Sequence, residues 1–406
     1  MAPGDDDLPQ GGRGQSGRGQ SGRGQSGRGQ SGGGKTTPPS GAPRPTTRPP
    51  SVRPGTHRPS ARAPDLLGSA RRLSSLDFGL VSASRRIVEG ALGLVLGDHF
   101  VAIVDGPQHP FADVLLDAAV SAGGTAELVD LDTFGPRPLR TVPAALNGAL
   151  ARAQTGVLLA ALDDAEHSLT EAIELAVRTN HLRFGHLPGA SRGGVVMAFA
   201  ADPSRIVDVS RAVRLRLRPD STLRLRSPAG SDLTIALAPE RRWHERAGSL
   251  RGGRLEPLPL AQLVTNPLDV SGVFVANAGA SPEFQSGGSL ARNPVHFELE
   301  GGVVRAVRCR DSVQERRVEQ ALRREHLLDT VGLVALGTNV SLDGATGEWI
   351  FDQTLPGLHL IFGSTLPEHT GARTGSRHQL VATGTHADID LDGAPLLRSG
   401  HFVSIA

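Results

Sequence analysis

Along residues 85–222 short apolar runs alternate with stretches of helical spacing. Residues 100–104, 126–129 and 157–161 are apolar runs of strand length. Residues 111–122 and 166–179 instead repeat apolar positions at helical intervals. Residues 195–200 predict one more strand, and a helix over 203–215 closes the unit. Strands alternating with helices predict a mainly parallel sheet with helices on both faces.

After residue 222 the period becomes two. Leu223 and Leu225 alternate with arginines, residues 227–231 make a turn, and Leu233, Ile235 and Leu237 alternate after it. This pattern is a hairpin. Residues 273–276, 295–299 and 303–307 read as strands, the last two joined by Gly301-Gly302. One helix, 312–324, presents Val318, Ala321 and Leu322 on one face. Residues 357–363 are an apolar run between glycines, which predicts a buried strand carrying His359. The expected fold is therefore an α/β domain over 65–222 and a β-rich α+β domain over 223–406, preceded by a tail, 1–64.

The tail differs in composition. Residues 11–31 repeat Gly-Arg-Gly-Gln-Ser four times, and 35–64 are rich in Pro, Thr, Ser and Arg. Neither stretch offers enough apolar surface to offset ordering entropy, so 1–64 is expected to be disordered. Residues 29–36 satisfy the phosphate-loop pattern, ending in Lys35-Thr36. That loop works only between a strand and a helix. A repeat precedes it and Thr37-Pro38-Pro39 follows, so ATP binding is rejected.

Charge is uneven. The tail holds 10 of the 43 basic side chains and 3 of the 41 acidic ones. The body is thus slightly acidic and poor in aromatics, which argues against a nucleic-acid surface except weakly at the Arg-Gly repeat. Cys309 is the only cysteine, which excludes a disulfide framework or a cysteine zinc motif. No apolar run is long enough to span a bilayer, and the first residues lack the regions of a signal peptide. A cytoplasmic location is expected. The turn Asp105-Gly106-Pro107 lacks the glycine fingerprint for a dinucleotide.

The candidate chemistry lies near the C-terminus. His386 and Asp388 are two residues apart in a stretch read as a strand, which presents both on one face. With His359 they make a two-His, one-carboxylate set. Leu336-Gly337-Thr338-Asn339, the run bearing His359, His386-x-Asp388 and Leu391-Asp392-Gly393 occur in this order, and Ser227–Leu233 precedes them. In this order and spacing the chain resembles the aminopeptidase T and S family of metalloaminopeptidases, from about residue 85 onward. The resemblance implies a two-metal site served by two glutamates, two histidines, an aspartate and a tyrosine, and a homodimer. His359, His386 and Asp388 match the histidines and the aspartate. Gly272 and Leu333 stand at the glutamate positions and Leu366 at the tyrosine position; the chain has no tyrosine.

A two-metal peptidase needs a bridging carboxylate and a general base, and neither Gly272 nor Leu333 supplies one. Glu348, Glu368, His369 and His378 lie nearby in sequence but read as solvated loop residues. The expectation is a degenerate, non-proteolytic member that binds a peptide in the family's cleft. A precursor peptide of natural-product biosynthesis is a fitting ligand, since the fold is similar to proteases that trim such peptides. In this reading the cofactor is none. The alternative is a single Fe(II) or Zn(II) on His359, His386 and Asp388, making a mononuclear oxygenase or hydrolase. Dihydroxypyridine dioxygenase is similar in fold and in this reduced ligand set.

Overall fold

The computed structural model describes residues 75–285 and 290–403, all within one compact unit, Ala70–Ala406. The tail and its phosphate-loop pattern lie outside the described residues.

The first half forms a five-stranded sheet in which every pairing is parallel. Its spatial order is Thr125–Asp130, His99–Val104, Thr155–Leu158, Arg183–His186 and Arg254–Pro257. Alternate residues of the His99–Val104 strand serve opposite faces. Phe100, Ala102 and Val104 pack with Leu80, Phe111, Leu115 and Val195. Val101 and Ile103 pack with Leu146, Leu150, Leu169 and Ile173. The sheet is therefore covered by helices on both faces, as the alternation of elements predicts. The last strand comes from residues 254–257, so the chain returns to the first sheet well after residue 222.

The predicted strand at 195–200 is instead the helix Arg192–Ala198. Ser191 caps it by accepting a hydrogen bond from the Gly194 N–H at 3.0 Å. An apolar run this short fits either element, and the cap decides it.

The rest of the chain is antiparallel and forms two sheets. One has eight strands and includes the predicted hairpin, Thr222–Arg226 with Asp232–Leu237. The Gly301-Gly302 turn joins Val295–Glu300 to Val303–Arg308, and both glycines have positive φ, which glycine adopts without strain. The other sheet orders Gln379–Ala382, Gly357–Gly363, Val331–Gly337, Ala261–Thr265 and His244–Ala247. Leu223, Ile235 and Phe274 of the larger sheet pack against Leu336, Leu358 and Phe362 of the smaller one. The helix Ser312–Arg323 closes this core through Val318 and Leu322. Two further four-residue helices, Trp349–Asp352 and Pro367–Thr370, join the single one expected in this half.

Candidate functional site

Every residue of the predicted strand Gly357–Gly363 is buried. His359 stands opposite Ala335, Ala335 opposite Val264, and Val264 opposite His244. Directly opposed residues share a face, so these four form one row across the smaller antiparallel sheet. One step along, Leu333 faces Ile361 and Ile361 faces Val381. These residues pack with Val264 and Ala335, and Trp349 and Leu366 lie against them. This face points away from the core between the two antiparallel sheets, to which Val334, Leu336 and Leu358 belong.

His359 is fully buried. Its Nε2 donates to the Leu355 carbonyl oxygen at 2.9 Å, and its Nδ1 accepts from the Gly384 N–H at 3.4 Å. Burial pushes its pKa down to about 4, so the ring is neutral. Both nitrogens are committed to the backbone, leaving no lone pair for a metal.

His386 and Asp388 are not side by side on one strand. The strand begins at Asp388, and His386 precedes it with φ of 54°. A left-handed residue turns the chain and breaks the two-residue alternation. His386 is exposed. Asp388 is exposed, and its Oδ1 accepts from the Ser399 N–H at 2.7 Å.

The two glutamate positions of the resembled family are closed in different ways. Gly272 has φ of 121°, and a Cβ there would lie 2.2 Å from the Asp232 carbonyl oxygen. Leu333 is fully buried in the small apolar cluster, and Leu366, at the tyrosine position, packs on the same cluster. The residues present do not fit a two-metal centre at this position.

A different trio comes together. Among the described residues, His244, Glu256 and His369 are the group whose ligand atoms all lie within 4.8 Å of one another. His244 opens the edge strand of the smaller antiparallel sheet, and Glu256 lies on the edge strand of the parallel sheet. His369 sits on the short helix Pro367–Thr370. The two imidazoles stack with centroids 3.9 Å apart and an interplanar angle of 20°. Glu256 Oε1 is 3.4 Å from His244 Nε2, and Arg246 Nε is 2.9 Å from Glu256 Oε2. Burial alone would raise the Glu256 carboxyl, but Arg246 and His244 outweigh it and bring it to about 2. Burial, aided by His244, pushes His369 down to about 4.

No spacing in the sequence marks His244 or Glu256, and His369 reads there as a loop residue. Its three neighbours in that reading are engaged elsewhere. Glu348 accepts from the Ser191 N–H at 2.8 Å and from its hydroxyl at 2.6 Å. Glu368 pairs with Arg254 at 2.7 Å, and His378 pairs with Glu325.

A cavity of about 420 Å³ opens at the carboxyl ends of the parallel strands, lined by Asp105, Asp132, Arg137, Asp163 and Glu166 among others. Successive strands leave His99–Val104 in opposite directions, so the cavity lies at the point where strand order reverses. Glu166 is buried there and takes Arg137 in a two-armed pair.

No family model matches this chain, and no curated protein matches it in sequence. In fold it is similar to AmpT from Thermus thermophilus, with a TM-score of 0.60 and 19% identity, over 81% of this chain and 100% of that one. It is also similar to 2,5-dihydroxypyridine dioxygenase from Pseudomonas putida, with a TM-score of 0.55 and 15% identity, over 80% of this chain and 97% of that one. The likeness in fold is the one that the order of the C-terminal motifs implies. No helix among the described residues is long and apolar enough to cross a membrane.

Proposed function

We propose that the chain is a peptide-binding protein on an aminopeptidase-like fold that does not cut its ligand. The observation that carries this reading is Leu333. It stands where the resemblance puts a metal-binding glutamate, and it is fully buried against Val264, Ile361 and Val381. A carboxylate demanded by two-metal hydrolysis is replaced by core packing. Gly272, closed by the Asp232 carbonyl, removes the other. We place the peptide between the α/β half and the β-rich half, since ligand sites favour such junctions. A homodimer would carry two such clefts, and a precursor peptide is the proposed ligand.

The similarity to a dioxygenase favours a second reading, a mononuclear Fe(II) or Zn(II) enzyme on His359, His386 and Asp388. The commitment of both His359 nitrogens to Leu355 and Gly384 weighs against it.

Calorimetry with a candidate precursor peptide, alongside cleavage and oxygen-uptake assays, separates the two. The binding reading expects His386→Ala and Asp388→Ala to keep peptide affinity within about tenfold, about 1.4 kcal/mol. Cleavage or oxygen uptake that vanishes in His386→Ala would sink it and promote the mononuclear enzyme.

A further inference from the structure

Four polar atoms meet at the junction of the parallel sheet and the smaller antiparallel sheet without hydrogen-bond partners. They are His244 Nε2, His369 Nε2, Glu256 Oε2 and Arg246 Nε, each shielded from solvent. Buried polar atoms are ordinarily paired, and of these four the two imidazole Nε2 atoms have neither a hydrogen bond nor a close ion-pair partner below 3.4 Å. The Arg246–Glu256 contact, at 2.9 Å, supplies charge attraction without hydrogen-bond alignment. It leaves the two imidazole nitrogens and Glu256 Oε1 facing one another.

We propose that His244, Glu256 and His369 bind a single divalent transition-metal ion of the zinc class. Two imidazoles and one carboxylate are a recurrent set for Zn(II), and the same set with open positions also holds Fe(II). A tetrahedral ion with bonds of about 2.1 Å holds its ligand atoms about 3.4 Å apart. His244 Nε2 and Glu256 Oε1 are 3.4 Å apart, and His369, stacked on His244, re-orients its ring from within 4.8 Å to complete the set. His244 keeps 20% of its side chain exposed, so the site lies close to the surface although its ligand atoms are shielded.

The scaffold holds the third ligand in place. The Arg242 N–H donates to the Thr370 carbonyl at 2.9 Å, and Arg241 Nη1 donates to the Gly371 carbonyl at 2.9 Å. Arg242 also reaches the Glu368 carbonyl at 3.2 Å. On the strand that bears Glu256, Arg254 pairs with the Glu368 carboxylate at 2.7 Å. Contacts from the segments carrying His244 and Glu256 therefore clamp the residues on both sides of His369. The site shares a sheet face with His359 but sits three strands away, about 14 Å at ordinary strand spacing. It does not depend on whether a peptide binds.

The test uses the untagged full-length chain, stripped with chelator and titrated with Zn(II) by calorimetry and with Co(II) by visible absorption. One ion per chain and a cobalt ligand-field band are expected. His244→Ala and His369→Ala should weaken zinc binding at least about tenfold, and His378→Ala should leave it unchanged. Zinc uptake that is absent in the wild type, or that is as tight in both ligand variants as in the wild type, overturns the site. If an alanine variant fails to fold, Glu256→Gln and the wild-type cobalt band decide. A missing band, or a band unaltered by Glu256→Gln, overturns it equally.

Discussion

His359 donates from Nε2 to the carbonyl oxygen of Leu355, four residues back and just before its strand begins. The ring is thereby a buried tie between the strand and the turn that leads into it. This predicts a pH dependence of stability. The pKa is about 6.5 in the unfolded chain and about 4 in the fold. Between these values the unfolded state binds the proton and the folded state does not, so stability falls as pH falls. The contribution is fully present above pH 6.5 and is lost by pH 4, on the order of 3 kcal/mol. Urea denaturation at pH 7 and pH 4.5 should show a smaller drop for His359→Gln than for wild type. Parallel slopes would mean that His359 is protonated in the fold.

Glutamates placed at the two positions that the resemblance marks should not create a metal centre. Leu333→Glu places a carboxylate in the apolar cluster of Val264, Ala335, Ile361 and Val381. An uncompensated buried charge costs about 3 kcal/mol or more. Gly272→Glu adds a Cβ against the Asp232 carbonyl on a backbone that side chains rarely adopt. Both variants should lose thermal stability and gain no aminopeptidase activity. A stable Leu333→Glu protein that cleaves an aminoacyl substrate would show that the fold is one substitution from that chemistry.

Arg137 and Glu166 supply a third expectation. Glu166 has no exposed side-chain surface; Arg137 pairs with it, and it accepts from the Leu139 N–H at 2.7 Å. Arg137→Met leaves that carboxylate without its cation, and about 3 kcal/mol of stability should be lost. The double variant Arg137→Met, Glu166→Gln should recover much of it, because an amide costs less to bury than an unpaired charge. Calorimetric unfolding of both proteins measures the difference. An unaltered midpoint in the single variant would place the pair in water rather than in the wall of the cavity.

The sequence exposes what depends on local pattern. The His359 strand is bounded by glycines and apolar except at His359, so its extent is legible to the residue. The hairpin around residues 227–231 is legible for the same reason. His386 is misplaced because a left-handed histidine leaves no trace in an alternating pattern. Residues 195–200 mislead because a short apolar run serves a helix as well as a strand, and the Ser191 cap lies outside it. The His244–Glu256–His369 trio is invisible because two sheet edges and a short helix make it. No spacing encodes a meeting of edges; only the return of residues 254–257 to the parallel sheet creates it.

Arg254 and Glu368 give the last prediction. Their pair is exposed, with 76% of the Glu368 side chain in solvent, so it contributes less than about 1 kcal/mol to folding. Its place in the structure gives it another role. Arg254 is two residues from Glu256 on the same strand, and Glu368 directly precedes His369. The pair therefore fixes the distance between the carboxylate and the second imidazole of the proposed ion site. Neighbours that orient metal ligands typically change affinity by about 10- to 100-fold when removed. Arg254→Ala should keep the melting temperature near that of the wild type while weakening zinc binding by about tenfold. Charge reversal of both partners, Arg254→Glu with Glu368→Arg, should restore much of that affinity, because the clamp re-forms with opposite polarity. Paired zinc titrations and melting curves on the three proteins make the comparison. Zinc affinity that follows the net charge of the chain, with no recovery in the double variant, would reduce Arg254 to a long-range electrostatic contribution.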